Sequence, residues 1–265
     1  MVLSALLLLL TGCGAQDTLT VVFPKIGSAD AAVLMTKSAT VVIDTGEDGD
    51  SDQVLKILDD HHRDTIDLLV ISHYDKDHVG GAAEILNHCT VTRVIGSTSP
   101  KVSDETANYY TALAECGLTE EVLAKPLSLD LGGMALTILP PQQSEYSADQ
   151  SNNSSTVVTV QYGNTGFFFA GDSMGQRVAE LIPELKDNTF DLVKLPHHGR
   201  DADTTSDLLS CLKDGAAAVI TSSKKEPESE AVLEMLQNSG ISAYLTRNGT
   251  VTVISDGQSL QIKQK

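Results

Sequence analysis

The segment Ser72-His73-Tyr74-Asp75-Lys76-Asp77-His78-Val79-Gly80-Gly81 follows directly on an apolar run, Leu68-Leu69-Val70-Ile71. Four potential metal ligands, His73, Asp75, Asp77 and His78, fall within six positions. Imidazoles and carboxylates at that density suit divalent-ion binding. In an extended segment residues 73, 75 and 77 share one face and 78 points to the other, a spacing that can serve two adjacent ions. The paired glycines allow the backbone to turn tightly toward a helix. A second acidic residue stands in a comparable place, because Phe167-Phe168-Phe169-Ala170 is followed by Gly171-Asp172-Ser173. A third apolar run, Leu192-Val193-Lys194-Leu195, ends in Pro196-His197-His198-Gly199. One such loop is weak evidence, since short motifs match often by chance. Three strands that each deliver such groups at their C-terminal ends reinforce one another.

The elements that must position these loops are many and mixed. Apolar alternation and β-branched runs predict strands at Leu19–Phe23, Thr40–Ile43, Ile66–Ser72, Val91–Ile95, Ala135–Leu139, Thr156–Tyr162 and Gly166–Ala170. Further strands are expected at Leu192–Leu195, Ala216–Thr221, Ser242–Leu245, Val251–Ile254 and Leu260–Lys263. Helical periodicity marks Asp52–His62, with Val54, Leu55, Ile57 and Leu58 on one face. Helices also fit Gly81–Leu86, Glu105–Cys116, Met174–Leu181, Thr205–Leu212 and Glu228–Asn238. Pro140–Ser155 is rich in Pro, Gln, Ser and Asn and reads as a long loop, either a substrate lid or a loose surface connection. Some polar residues have plainer readings. Asp172 also suits the cap of a helix starting near Met174, His61, His62 and His88 read as non-catalytic, and Tyr109 and Tyr110 read as packing groups.

Acidic residues outnumber basic ones 36 to 18, a formal net charge of −18 over 265 residues. The length suits one large domain or two small ones, with ample material for a core. With 20% of residues charged and 41% hydrophobic, a disordered acidic chain is excluded. The negative balance repels polyanions within the Debye length, so broad capture of nucleic acid or of anionic membrane surfaces is disfavoured. Aromatic residues make up 4% and Trp is absent, which leaves little for a base-stacking platform. A phosphate-bearing substrate would need local positive charge, which bound metal ions supply.

Residues 1–10 are apolar apart from Ser4 and run into Thr11-Gly12-Cys13. The stretch is too short to span a bilayer and suits a signal-peptide hydrophobic region. Leu10-Thr11-Gly12-Cys13 resembles a bacterial lipobox. That implies a signal peptide over residues 1–12, lipidation of Cys13, a short linker over 13–18, and anchoring at the extracytoplasmic face of the cell membrane. Cys89, Cys116 and Cys211 show no CxxC spacing and read as buried thiols, with one disulfide admitted outside the cell.

Taken in order, the HxDxDHxGG segment, the Gly-Asp pair and the Pro-His-His-Gly segment resemble the metallo-β-lactamase superfamily, and within it the hydrolase domain of ComEC-type DNA-internalisation proteins. Phe23-Pro24-Lys25-Ile26-Gly27-Ser28-Ala29-Asp30 and Val42-Ile43-Asp44-Thr45-Gly46 agree with the same resemblance. It implies an α/β fold over residues 19–265, the four-layer αββα sandwich, with a dinuclear site at one edge. By the same resemblance His73 and Asp75 bind one ion, Asp77 and His78 the other, Asp172 bridges them, and His198 joins the second set. His197 is then left to contact substrate or assist proton transfer, with the order inside the His197-His198 pair open.

This chain departs from the β-lactamases and thioesterases of the superfamily at Asp75, where they carry His. It also reads Ser151-Asn152-Asn153-Ser154-Ser155 where they supply a further His. The latter segment resembles the Asn-x-x-Ser of the ComEC branch, which makes Asn152 and Ser155 expected substrate contacts. Oxygen ligands in place of imidazoles shift preference from Zn²⁺ toward Mn²⁺, with Mg²⁺ also admitted. The expected activity is hydrolysis of a small or terminal phosphodiester by two divalent ions roughly 3.5 to 4 Å apart, with Asp77 and His197 as catalytic residues. Two other classes compete: hydrolysis of an ester, thioester or lactone on the same fold, and a non-catalytic accessory binding protein of DNA uptake.

Overall fold

The structure is a computed structural model that describes residues 17–185 and 189–265. Cys13, the apolar run before it and the linker as far as residue 16 lie outside the described residues. Two mixed sheets carry the fold. The first runs Leu260–Gln264, Val251–Ser255, Leu19–Phe23, Ala31–Met35, Thr40–Thr45, Leu68–Val70, Val94–Gly96, Glu121–Val122. The second runs Ser242–Leu245, Leu212–Ile220, Phe190–Lys194, Thr165–Phe169, Val157–Tyr162, Met134–Leu139, Leu127–Leu131.

Alternation along the strands sorts the side chains into layers. Leu19, Val21, Phe23, Val41, Ile43 and Val70 of the first sheet meet Leu136, Ile138, Val158, Phe167, Phe169 and Leu192 of the second in one central core. On the outer face of the first sheet, Val22, Val33, Val42 and Leu69 pack under three helices, Ser51–Asp60, Ala82–His88 and Asp104–Glu115. On that of the second, Phe168, Val193, Ala218 and Ile220 pack under Gly175–Leu185, Ala202–Leu208 and Glu230–Asn238. The result is the four-layer αββα sandwich expected. Both faces of each sheet are covered, so central strands read as unbroken apolar runs. No helix among the described residues is long and apolar enough to cross a membrane.

Several local expectations change. Ala31–Met35 and Leu127–Leu131 are strands that the sequence reading left out. The first is buried along its whole length and shows no alternation, whereas the second alternates plainly at Leu127, Leu129 and Leu131. The helix expected to reach Leu212 ends at Leu208, and Leu212 opens a strand instead. Among the thiols only Cys211 is buried; Cys116 is exposed and all three described cysteines are free.

The segment from Pro140 to Ser155 is neither loose nor a free lid. Its Tyr146 Oη donates to Glu180 at 2.9 Å and Gln143 Nε2 donates to the same carboxylate at 2.7 Å. Its end forms a helical turn, Gln150–Asn153, whose Asn153 Oδ1 accepts the Met174 and Arg177 N–H groups and so caps the helix that follows. Arg177 is fully buried and donates to Ser155 O at 3.2 Å, Leu139 O at 2.7 Å and Glu180 at 3.0 Å. A buried guanidinium that satisfies both ends of this segment locks it, because leaving those acceptors unpaired is costly. Arg177→Ala should lower the unfolding free energy by about 3 to 5 kcal/mol, the usual cost of breaking a buried charged pair. Urea denaturation reads this directly, and a negligible loss would mean that the segment is held by other contacts.

Candidate metal centre

Parallel pairing brings the loops together. Thr165–Phe169 pairs in parallel with Phe190–Lys194, with Phe169 opposite Lys194, so Asp172 and His198 leave neighbouring strand ends. The next parallel partner places Val219 opposite Lys194 and delivers Thr221 beside them. In the other sheet Ile43 lies opposite Val70, so Asp44 and His73 emerge together. A Thr156 N–H donating to Ser72 O at 2.8 Å ties the two sheets at this edge. Thus the candidate ligands gather where the C-terminal ends of parallel strands from both sheets meet.

The ligand loop is not extended throughout, as the sequence reading assumed. It turns into a short helix at Lys76–Val79, which brings Asp77 and His78 inward from one turn. The glycines that follow are right-handed, at φ −57° for Gly80 and −81° for Gly81. They serve close approach rather than a tight turn. A Cβ on Gly80 would meet the Asp48 N at 2.6 Å, and one on Gly81 would meet Thr45 O at 2.4 Å. His197 and His198 both take left-handed backbone, φ 46° and 55°, a local cost of order 1 to 3 kcal/mol each that turns the chain back on itself. The turn directs His198 Nδ1 to Thr221 O at 3.0 Å.

Asp77, His78, Asp172 and His198 present ligand atoms within 4.8 Å of one another. Asp172 Oδ2 lies 3.4 Å from His78 Nε2 and 3.3 Å from His198 Nε2, and Asp77 Oδ2 lies 3.2 Å from the same His198 nitrogen. His73 and Asp75 stand alongside, 3.9 Å apart, with the His73 ring 4.1 Å from that of His78. Three of these donors are buried without any hydrogen-bond partner: His73 Nε2, His78 Nε2 and Asp172 Oδ1. Orphaned acceptors aimed at one point are costly unless something fills it, and a divalent ion fits both the donor types and the geometry. Asp172 does not cap the helix after it, since Asn153 does.

The electrostatics agree. Burial, then the neighbouring His78, lowers the His73 pKa from 6.5 to about 4, so it is a neutral, ligand-ready imidazole. Burial opposes a charge on His78, yet Asp172 and Asp44 outweigh it and hold its pKa well above the ordinary value. Burial likewise disfavours the Asp172 carboxylate, but His198 and His78 keep it ionised far below the usual range. The proton on His78 therefore supplies part of the positive charge that a bound divalent cation would supply.

Around these ligands the structure adds residues that the sequence reading missed or placed beside the site. Asp44 accepts from Ser72 N–H and Oγ, both at 2.7 Å, and from His78 Nδ1 at 2.9 Å, which orients that ring. Asp75 accepts from Lys101 Nζ at 2.7 Å and from Ser151 Oγ. Asp30 and Lys194 form a buried pair beneath the ligands. Burial pushes the Lys194 pKa down, while contact with Asp30 and an Asp172 oxygen 3.6 Å away favour the ammonium. One signal for Lys194 was available, because a lysine inside a run buried on both faces must find a partner. Ser155 differs from its expected substrate role: it is fully buried and its Oγ accepts the Asp172 N–H at 3.1 Å. Asn152 is half-buried on the same turn as Ser151. His197 is half-buried beside His198, with Nδ1 unpartnered and its pKa lowered by burial.

A model of the metallo-beta-lactamase superfamily matches residues 26–223. The chain belongs to that superfamily. It is 26% identical over 193 residues to ComE operon protein 3 of Bacillus subtilis (strain 168), covering 70% of this chain and 24% of that protein. It is also 26% identical over 206 residues to Recombination protein 2 of Haemophilus influenzae, covering 76% of this chain and 24% of that protein. The chain thus spans about a quarter of the length of these relatives, which agree with the ComEC-type branch. Among solved structures, the metallo-beta-lactamase fold protein YhfI of Bacillus subtilis shares the fold, with a TM-score of 0.58 over 92% of this chain and 100% of that one, at 11% identity.

A divalent ion at 100 times its dissociation constant should stabilise the metal-superfamily fold by about 2.7 kcal/mol. Denaturation with and without Mn²⁺ after chelation measures this, and Asp172→Ala should remove most of the gain. An equal gain in both proteins would take Asp172 out of the ligand set.

Proposed function

We propose that the protein is a metal-dependent phosphodiesterase that takes two divalent ions, Mn²⁺ in preference to Zn²⁺, and acts on a small or terminal phosphodiester. The observation that carries this reading is a cleft of about 550 Å³ that opens beside Asp77, where Lys76, Arg200, Lys224 and Lys225 stand among Glu47, Asp50 and Glu226. Four of the chain's 18 basic residues line this cleft beside four acidic ones, Asp77 among them. Lys76 and Arg200 answer Glu47 and Glu226, at 3.2 and 3.1 Å, whereas Lys224 and Lys225 stand exposed at the lip. With ions held by Asp77 and its neighbours, Lys224 and Lys225 would favour an anionic ester over a neutral ester or lactone, which has no charge to meet them.

In this reading Asp77, His78, Asp172 and His198 hold one ion, and His73 and Asp75 hold the other with Asp172 shared. When bound, such ions polarise a phosphoryl oxygen and make water a competent nucleophile near neutral pH. Asp44 and the Thr221 carbonyl keep the His78 and His198 rings in place by accepting at Nδ1. Lys101, with 44% of its side chain exposed beside Asp75, can turn its ammonium toward the substrate's charge. His197 is unprotonated at neutral pH because burial lowers its pKa, which leaves its imidazole able to accept a proton. Lipidation at Cys13, resting on the lipobox resemblance, would hold the enzyme at the extracytoplasmic face of the membrane. Cys13→Ser should then move it to the soluble fraction.

With Mn²⁺, bis(p-nitrophenyl) phosphate should be hydrolysed, and Asp77→Ala should abolish turnover. Turnover of a chromogenic β-lactam, ester or lactone with none of the phosphodiester would overturn the proposal. Replacing Lys224 and Lys225 together with Glu should raise KM several-fold with little change in kcat, an effect that shrinks as added salt screens the cleft.

A further inference from the structure

Beneath the ligands, Asp30 and Lys194 meet across the two sheets, with side chains no more than 5% exposed. Asp30 leads into Ala31–Met35 of the first sheet, and Lys194 ends Phe190–Lys194 of the second. The Asp30 Oδ2 accepts from Lys194 Nζ, and its Oδ1 accepts from Thr221 Oγ1. From there the contacts run upward. Thr221 lies against His198 Nδ1, with O at 3.0 Å and Oγ1 at 3.2 Å. Asp30 itself is 3.5 Å from His198 Nδ1 and 3.8 Å from His78 Nδ1. Lys194 Nζ donates to Gly171 O at 3.1 Å and stands 3.6 Å from Asp172 Oδ1. The Asp30 N–H donates to Asp77 O at 2.9 Å. One buried pair thus reaches all four residues of the tight ligand group.

We propose that Asp30 and Lys194 are positioning residues that set the geometry and charge of the ion site formed by Asp77, His78, Asp172 and His198. The arrangement of charge supports the role. Asp30, Asp44, Asp75, Asp77 and Asp172 crowd five carboxyl groups together, Lys101 faces Asp75 from the solvent side at 2.7 Å, and Lys194 faces Asp30 and Asp172 from within. Lys194 meets Asp30 directly and Asp172 at 3.6 Å, so it balances the cluster from below without occupying a place among the ligands. Asp30 in turn keeps Lys194 and the Thr221 hydroxyl from rotating, which fixes the face that His198 Nδ1 sees. A pair whose purpose is to join the sheets would need none of these upward contacts.

The inference rests on the two-ion reading of the site, and Co²⁺ tests both separately. Titration of the chelated wild-type chain with Co²⁺, followed by calorimetry and by visible absorption, should give two equivalents bound. Asp30→Asn keeps the side chain's shape and should weaken one equivalent by roughly 10- to 100-fold, the usual effect of losing a partner of a ligating residue, with a change in its absorption bands. The double variant Asp30→Asn/Lys194→Met removes the buried pair altogether, and uncharged replacements of a buried pair commonly fold well. It should remain weakened to a similar degree. Two tight equivalents with the wild-type spectrum in the double variant would assign the pair to joining the sheets and overturn the proposal. No Co²⁺ uptake by the wild type would instead overturn the metal reading itself.

Discussion

Crowding of carboxylates governs this molecule. Asp30, Asp44 and Asp172 are almost wholly buried, and Asp75 and Asp77 keep 28% and 26% of their side chains exposed. Charges so close together and so far from water destabilise a fold unless each finds a counter-charge or donor. Every local feature of the edge answers that demand. Ser72 gives two hydrogen bonds to Asp44, Ser155 supports the backbone of Asp172, and Lys101 and Ser151 face Asp75. Neither sheet holds the whole set. Aspartates 30, 44, 75 and 77 come with the first sheet, while Asp172, His198 and Lys194 come with the second. The αββα arrangement is thus the scaffold on which opposite halves of a charge cluster are closed against each other.

How much of this could be read in the amino-acid order depends on the range of the interaction. The ligand types were legible because His73, Asp75, Asp77 and His78 are close in sequence, and because Asp172 and the His pair follow clear apolar strands. The layers were legible because central strands buried on two faces carry long apolar runs. What was not legible depends on distant partners. Asp30 looks like any acidic turn residue until Lys194, 164 positions away, is seen against it. Ser151 and Ser155 differ in task although four residues apart, since one meets Asp75 and the other Asp172. The Gly80-Gly81 pair suggested a sharp turn. Its real cause, the backbone at Thr45 and Asp48, lies outside any local window.

Net charge and local charge also separate here. The balance of −18 sets the far field, which is negative over the molecule as a whole. In the cleft beside Asp77, Lys76, Arg200, Lys224 and Lys225 stand among Glu47, Asp50 and Glu226, within the distance at which salt screens. A protein can be acidic as a whole and still gather cations at one edge. The two statements concern different lengths and do not conflict.

The first sheet is closed by strands far apart in sequence, for Leu19–Phe23 pairs antiparallel with Val251–Ser255, and Leu260–Gln264 completes that edge. The family match stops at residue 223, so the strands that finish the sheet bearing Asp30 and Asp44 come after it. Synthesis proceeds from the N-terminus, which leaves Leu19–Phe23 without this neighbour until Val251–Ser255 has been made. Pairings so remote in sequence form slowly. The sheet that carries Asp30 and Asp44 therefore closes later than its local hairpins, and the ligand edge depends on a contact that no short stretch of the chain can make.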